Sequence, residues 1–289
     1  MNSITVKAYA KINLGLDVLR KRPDGYHDVC MIMQSIDLYD TITIEKKSDH
    51  QITMKTNLSY LPTDKGNLVY RAASLFLEHI QSKDGLTILL DKHIPVAAGL
   101  AGGSTDAAAT LMGLNDLYQS AMTKEELMKL GIKLGADVPY CILLGTALSE
   151  GIGEILTPLP PIPECFILLV KPDISVSTKY VYENLRLLES TPHPDIAKMK
   201  DALKKEDLNS LTENMDNILQ TVTIKDYPII SGIKSKMNEL GAQVSLMSGS
   251  GPTVFGIYKN REQAQKAYHY FLKHKHFGKQ VFLTRPYWP

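Results

Sequence analysis

Between Ile94 and Leu111 the chain reads IPVAAGLAGGSTDAAATL. No other stretch restricts the fold as much: small residues crowd behind a proline, and hydroxyls, an acid and a helix-like run come after them. Gly99, Gly102 and Gly103 lack a Cβ and permit positive φ, while Ala97, Ala98 and Ala101 add little bulk. A strand, a small-residue turn and a helix in succession present unpaired backbone N–H groups at the helix N-terminus, where the dipole favours anions by about 0.3–2 kcal/mol. Such a turn either lets a helix pack tightly on a sheet or holds a phosphate against the backbone. Two familiar phosphate loops are excluded by inspection, because no GK[ST] follows the glycines and no GxGxxG spacing follows the strand. Ser104 and Thr105 stand where a side chain caps the helix or meets a phosphate or its metal.

The 289 residues, 44% of them hydrophobic, suffice for two modest domains with cores of their own. Basic residues number 32 against 31 acids, for a net charge of +1, so no global field exists to hold a nucleic-acid backbone or an anionic membrane. Any anion must be held locally. Cys30, Cys141 and Cys165 lie far apart without a CxxC pair, the pattern of reduced thiols in a cytoplasmic core and not of a zinc site. The first residues alternate like a strand, without a secretory signal's basic head and apolar run, and no apolar stretch nears the ~20 residues of a membrane helix. The expectation is a cytoplasmic protein with no nucleic-acid or membrane partner.

Periodicity predicts strands over Ile4 to Leu19, Val29 to Lys46 and Gln51 to Thr56, a helix over Asn67 to Gln81, and a strand over Gly85 to Ile94. A second helix then carries Ala107, Leu111, Leu114 and Tyr118 on one face. Thr123 and Glu126 form a capping-box pattern opening a third, which should end at Gly135 before ADVPY. Tyr140 to Ser149 and Glu154 to Leu159 read as short strands. Proline-dense Thr157 to Glu164 marks the best boundary, dividing domains 1–160 and 161–289. Beyond it come a strand at Phe166 to Val170, helical stretches between Thr178 and Leu240, two strands flanking MSGSGPT, a helix over Arg261 to Lys273 and a closing VFLT strand. This order suggests an antiparallel α+β sandwich with inserted helices.

PxxxGLxGGSxDAA at Pro95 to Ala108 resembles the nucleotide-binding signature of the GHMP kinases, the superfamily of galactose, homoserine, mevalonate and phosphomevalonate kinases. AKINLGLDVLRKRPDGYHDV at Ala10 to Val29, LGADVPYCILLGTALSEGIGE at Leu134 to Glu154 and SGSGPTVFG at Ser248 to Gly256 are similar, in order and spacing, to the members that phosphorylate a cytidine-diphosphate-linked alcohol. The resemblance runs over nearly the whole chain. Where the family often has a third glycine and a second serine, this chain has Ala101 and Thr105; neither change removes a backbone donor.

The resemblance implies a two-domain α+β fold, with an N-terminal ATP-binding α/β domain and a C-terminal ferredoxin-like α+β domain carrying inserted helices. It implies ATP as the phosphate donor, held by Pro95, Val96, Ala97, Ala98, Gly99, Leu100, Ala101, Gly102, Gly103, Ser104 and Thr105, with Mg2+ accompanying the phosphates. Asp137 matches the general base and Lys11 the lysine whose ammonium keeps that base ionised. By residue type alone, Asp137 is a turn aspartate before Pro139 and Lys11 a strand lysine pointing to water. Asn13, Tyr26 and His27 match the residues that hold the cytidine end, and an aromatic face with an imidazole and an amide suits a pyrimidine. Thr178 and Tyr182, one helical turn apart, are further candidates for that pocket, though the spacing fits a core tyrosine equally well. DGYHD is otherwise an ordinary hairpin turn, Asn67 an ordinary helix N-cap, and SGSGPT either a second nest or a tight link between strands. Two other readings stay open: a homoserine or mevalonate-type acceptor, and a non-catalytic RNA-binding module, against which the near-zero charge argues. Residues 195–223 carry no recognisable motif.

Overall fold

The computed structural model describes residues 2–187 and 191–289. The chain forms two compact units, each assembled from separate segments: a first unit of Met1–Ala10, Leu38–Val96 and Ala101–Leu143, and a second of Lys11–Asp37, Ala97–Leu100 and Leu144–Pro289. Two long paired strands, β1 (Ser3–Lys21) and β2 (His27–Lys47), run through both.

In the first unit, Thr41 to Lys47 of β2 pairs antiparallel with β4 (Gly85–Asp91), and β4 pairs in parallel with β3 (Ile52–Thr56). Parallel neighbours need a crossover, which α1 (Leu68–His79) supplies by burying Val69, Ala72, Ala73, Phe76 and Leu77. Asn67 caps α1 by accepting the Val69 amide at 2.9 Å, the structural role its sequence context suggests. Helix α2 (Gly102–Tyr118) buries Ala107, Ala108, Leu111, Leu114 and Leu117, each large aliphatic among them contributing about 1.5–3 kcal/mol of burial. The capping box at Thr123 and Glu126 is present, opening α3 (Lys124–Gly131).

The region after it departs from the sequence expectation. Instead of a helix reaching Gly135 and a strand from Tyr140, α3 stops at Gly131 and a short helix, α4 (Val138–Leu143), precedes β5 (Thr146–Gly151). A short apolar run such as VPYCILL has no period that separates strand from buried helix. Leu144 and Gly145, at φ 64° and 72°, make the break that delays the strand.

In the second unit, Val29 to Gln34 of β2 pairs antiparallel with β5, and β5 with β6 (Ile155–Pro158). A separate antiparallel sheet has the order β10-β7-β9-β8, built from β7 (Phe166–Lys171), β8 (Val244–Met247), β9 (Val254–Tyr258) and β10 (Gln280–Thr284). Ile167 to Val170 are all fully buried, so both faces of β7 are covered. Helices α9 (Ile229–Glu239) and α10 (Arg261–Lys273) pack on this sheet. Between β7 and α9 lie α5 (Thr178–Asn184), α6 (Ile196–Lys204), α7 (Leu208–Glu213) and α8 (Gln220–Asp226). These are the inserted helices. Among the described residues, no helix is long and apolar enough to cross a membrane.

Candidate active site

In the first unit, the strand leading to the glycine-rich stretch ends on a buried ionic cluster that sequence reasoning missed. Asp40 accepts the amides of His93 at 2.5 Å and Ile94 at 2.8 Å, and it pairs with the Lys92 ammonium. Lys92 also donates to Asp106 Oδ2 at 2.6 Å, while Asp106 Oδ1 has no partner among the described residues. Burial opposes the Lys92 charge, but the two carboxylates outweigh it and hold the ammonium above its ordinary value. Burial pushes the Asp106 acid well above its ordinary value. A Cβ at Gly102 would stand 3.3 Å from Lys92 Nζ; glycine there lets the ammonium approach the backbone where α2 begins.

Helix α2 opens without a side-chain cap, Ala101 occupying the N-cap position at φ 58°. Thr105 turns inward, its hydroxyl donating to the Tyr9 carbonyl at 2.6 Å and its amide to Ala101 at 2.9 Å. Ser104 is half-buried, and its hydroxyl has no hydrogen bond among the described residues. A Cβ at Gly135 would lie 4.0 Å from Ser104 Oγ, which sets the turn carrying Asp137 beside the first turn of α2. Asp137 is half-buried and stands just before α4, its carbonyl accepting the Cys141 amide at 3.1 Å. Its carboxylate has no partner among the described residues.

Along the stretch itself, Ala97, Gly99 and Ala101 adopt φ of 52°, 76° and 58°, alternating with residues of ordinary hand. None of the amides from Val96 to Ser104 makes a hydrogen bond of normal geometry to an acceptor among the described residues. Backbone donors without partners are uncommon in folded chains, and successive amides turned by alternating φ form the concavity that receives an anion.

In the second unit, Lys11 is 5% exposed, which overrides the water-facing alternative. Its ammonium donates to Asn13 Oδ1 at 2.8 Å and to the Gly99 carbonyl at 3.2 Å, with no carboxylate partner among the described residues. A buried cation with only neutral acceptors is poised for an anion. Asn13 is buried, its amide donating to Met31 Sδ at 3.4 Å. Ser248 donates to the same Gly99 carbonyl at 2.9 Å, so the SGSGPT turn and the glycine-rich stretch meet at one oxygen. A Cβ at Gly99 would fall 2.1 Å from the Ser248 carbonyl, and only glycine fits.

Helix α5 carries two more predicted residues of this unit. Thr178 at its first turn shares a 2.7 Å hydrogen bond with Ser250, and Tyr182 packs its ring on His27 with centroids 5.2 Å apart. Burial, aided by Lys21, holds the His27 imidazole below its ordinary value, so it is neutral near pH 7. Tyr26 is 62% exposed at the hairpin tip. Asp28 braces that hairpin between Arg20 at 2.5 Å and Arg22 at 3.2 Å. Asn217, fully buried and bonded to the turn at Met247 and Gly249, also escaped sequence reasoning.

Comparison with known proteins matches residues 67–145 to the GHMP kinases N terminal domain and residues 199–276 to the GHMP kinases C terminal. The 4-diphosphocytidyl-2-C-methyl-D-erythritol kinase of Lachnoclostridium phytofermentans is 59% identical over 285 residues, covering 99% of this chain and 98% of that protein. A crystal structure of 4-(cytidine 5'-diphospho)-2C-methyl-D-erythritol kinase superposes with a TM-score of 0.84 at 32% identity, over 99% of this chain and 100% of that one. A homoserine kinase structure from Cytophaga hutchinsonii reaches 0.82 at 22% identity over 98% and 95% of the two chains, a likeness of fold alone. Motifs, fold and full-length relatives agree that this chain is a kinase belonging to the 4-diphosphocytidyl-2-C-methyl-D-erythritol kinase family of the GHMP superfamily.

Proposed function

We propose that the chain transfers the γ-phosphate of ATP to the 2-hydroxyl of 4-diphosphocytidyl-2-C-methyl-D-erythritol, a step of isoprenoid precursor synthesis, giving the 2-phosphate and ADP. The observation that carries this reading is the run of unpaired amides from Val96 to Ser104, ending at a helix with no side-chain cap. Pro95 to Thr105 is the nucleotide-binding segment in this reading. Its amides and the Ser104 hydroxyl receive the phosphates, and inward-facing Thr105 anchors the segment through Tyr9. The domain division near residue 160 belongs to the same proposal.

Transfer to an alcohol requires a base for its proton and a charge to offset the incipient alkoxide. Asp137 serves as the base, since its carboxylate is uncommitted. Lys11 supplies the charge, since its buried ammonium is aimed by two neutral oxygens and neutralised by none. Asn13, Tyr26, His27, Thr178 and Tyr182 receive the cytidine end, with His27 as a neutral imidazole able to donate or accept at the pyrimidine edge. Mg2+ enters this reading as a companion of the nucleotide, with the Ser104 hydroxyl of the segment available to it while Asp106 is engaged by Lys92. When bound with ATP, it offsets the charge on the phosphate oxygens.

An ADP-coupled assay across the cytidine-linked alcohol, homoserine and mevalonate tests the assignment. Turnover with the cytidine-linked alcohol alone is expected. Asp137→Asn should lower kcat by about 10²–10⁴-fold while leaving ATP affinity nearly intact. Equal turnover of an acceptor without a base, or an Asp137→Asn protein of normal kcat, rejects the substrate or the base respectively.

A further inference from the structure

The roles assigned above leave a fully buried amide without a function. Asn217 lies in the stretch 195–223, which carries no motif, and is 0% exposed. Its Nδ2 donates to the carbonyls of Met247 at 2.6 Å and Gly249 at 2.8 Å, and its Oδ1 accepts the Leu219 amide at 3.0 Å. The backbone on either side is fastened to β1. The Leu16 amide donates to Asp216 at 2.9 Å and the Ile218 amide to Leu16 at 3.0 Å, a parallel bridge. Gln220 braces this seat by donating to Asp216 Oδ1 at 2.7 Å while accepting from Lys234 at 2.7 Å.

The two carbonyls that Asn217 holds straddle Ser248. The Ser248 hydroxyl donates to the Gly99 carbonyl at 2.9 Å, and the Lys11 ammonium donates to that same oxygen at 3.2 Å. A continuous path of hydrogen bonds therefore runs from Asn217 through the 247–249 turn and Gly99 to Lys11, all within the second unit. We propose that Asn217 is a positioning residue for phosphoryl transfer: by clamping the 247–249 turn it fixes the Gly99 carbonyl that aims the Lys11 ammonium. The inference rests on the role given to Lys11 above.

Only a short, uncharged side chain with two N–H donors does this work. Aspartate of the same shape would turn acceptors toward two carbonyl oxygens, and leucine would fill the volume while donating nothing. Either change leaves both carbonyls buried without donors and lets the turn move. A reaction that depends on a near-attack arrangement responds to such a shift in kcat more than in binding.

Kinetics and thermal unfolding of the full-length chain carrying Asn217→Asp, Asn217→Leu or Ser248→Ala, each with and without Lys11→Met, test the path. Each single change is expected to lower kcat by about 10- to 100-fold. KM for ATP and for the acceptor should stay within about threefold, because uniform binding is untouched. In the Lys11→Met background the same changes should bring little further loss, since they act through Lys11. Phe271→Leu, in the core of α10 and outside this path, should lower Tm without lowering kcat, which separates positioning from stability. Losses of equal factor with and without Lys11 overturn the role of Asn217 and Ser248 alone, as does an unchanged kcat. A normal kcat in Lys11→Met overturns the role of Lys11 itself. Ser248→Ala removes one small hydroxyl and decides the matter if the Asn217 variants fail to fold.

Discussion

Lys92 is one cation between two buried carboxylates, and the three residues are not equivalent. Asp40 has three donors, whereas one oxygen of Asp106 has none. Lys92→Met would strand the remaining charge inside the first unit and should cost about 3–5 kcal/mol in denaturant unfolding. Asp106→Asn should be tolerated, with a pH signature. Because burial raises the Asp106 acid above its ordinary 3.8, the folded chain holds a proton that the unfolded chain has released. The stability contributed by that proton is present at low pH and lost as pH rises through the folded value. Asparagine escapes the loss, so its stability relative to the parent should improve as pH rises from acid toward neutral; an unfolding series over that range measures it. In the sequence, Gly99 stands out within one contiguous run of small residues, whereas Lys11 and Asp137 enter only through the family resemblance, residue type alone making them a water-facing lysine and a turn aspartate. Lys92 and Asn217 stayed hidden because their partners lie 52 and 30 positions away and nothing nearby marks a polar group as buried.

At the level of elements, legibility followed periodicity and capping. The α10 boundaries match the sequence reading because Asn260 caps a helix with a clear apolar stripe. The VPYCILL segment failed because every position is apolar or ambiguous, so only tertiary packing decides between helix and strand. Capping also separates α2 from α3. Thr123 and Glu126 bond reciprocally to each other's backbone, at 2.8 and 3.2 Å, and close the start of α3 internally. Thr123→Ala should destabilise the chain by about 0.5–2 kcal/mol in denaturant unfolding and leave turnover unchanged. In α2 the N-cap position is Ala101, which supplies no such side-chain partner.

For the whole molecule, nucleotide binding and stability are linked, because a ligand taken only by the folded chain stabilises it by about 2.7 kcal/mol at a hundredfold excess over Kd. Gly99→Ala, with its Cβ 2.1 Å from a carbonyl and φ of 76°, should abolish that gain in a thermal-shift measurement with ATP. Asp137→Asn should retain it. The division into compact units was the part least legible in the sequence: prolines and loop composition mark a boundary along the chain, but β1 and β2 are each long enough to enter both units. This interleaving sets an order of birth. The first unit has all its segments once Leu143 has been made, whereas the second includes Lys11–Asp37 and still lacks β10, the partner of β7, until translation is nearly over. Leu16 and Ile36 thus emerge early and meet their bridge partners Asn217 and Pro286 late, an interval in which a nascent chain depends on whatever shields it at the ribosome.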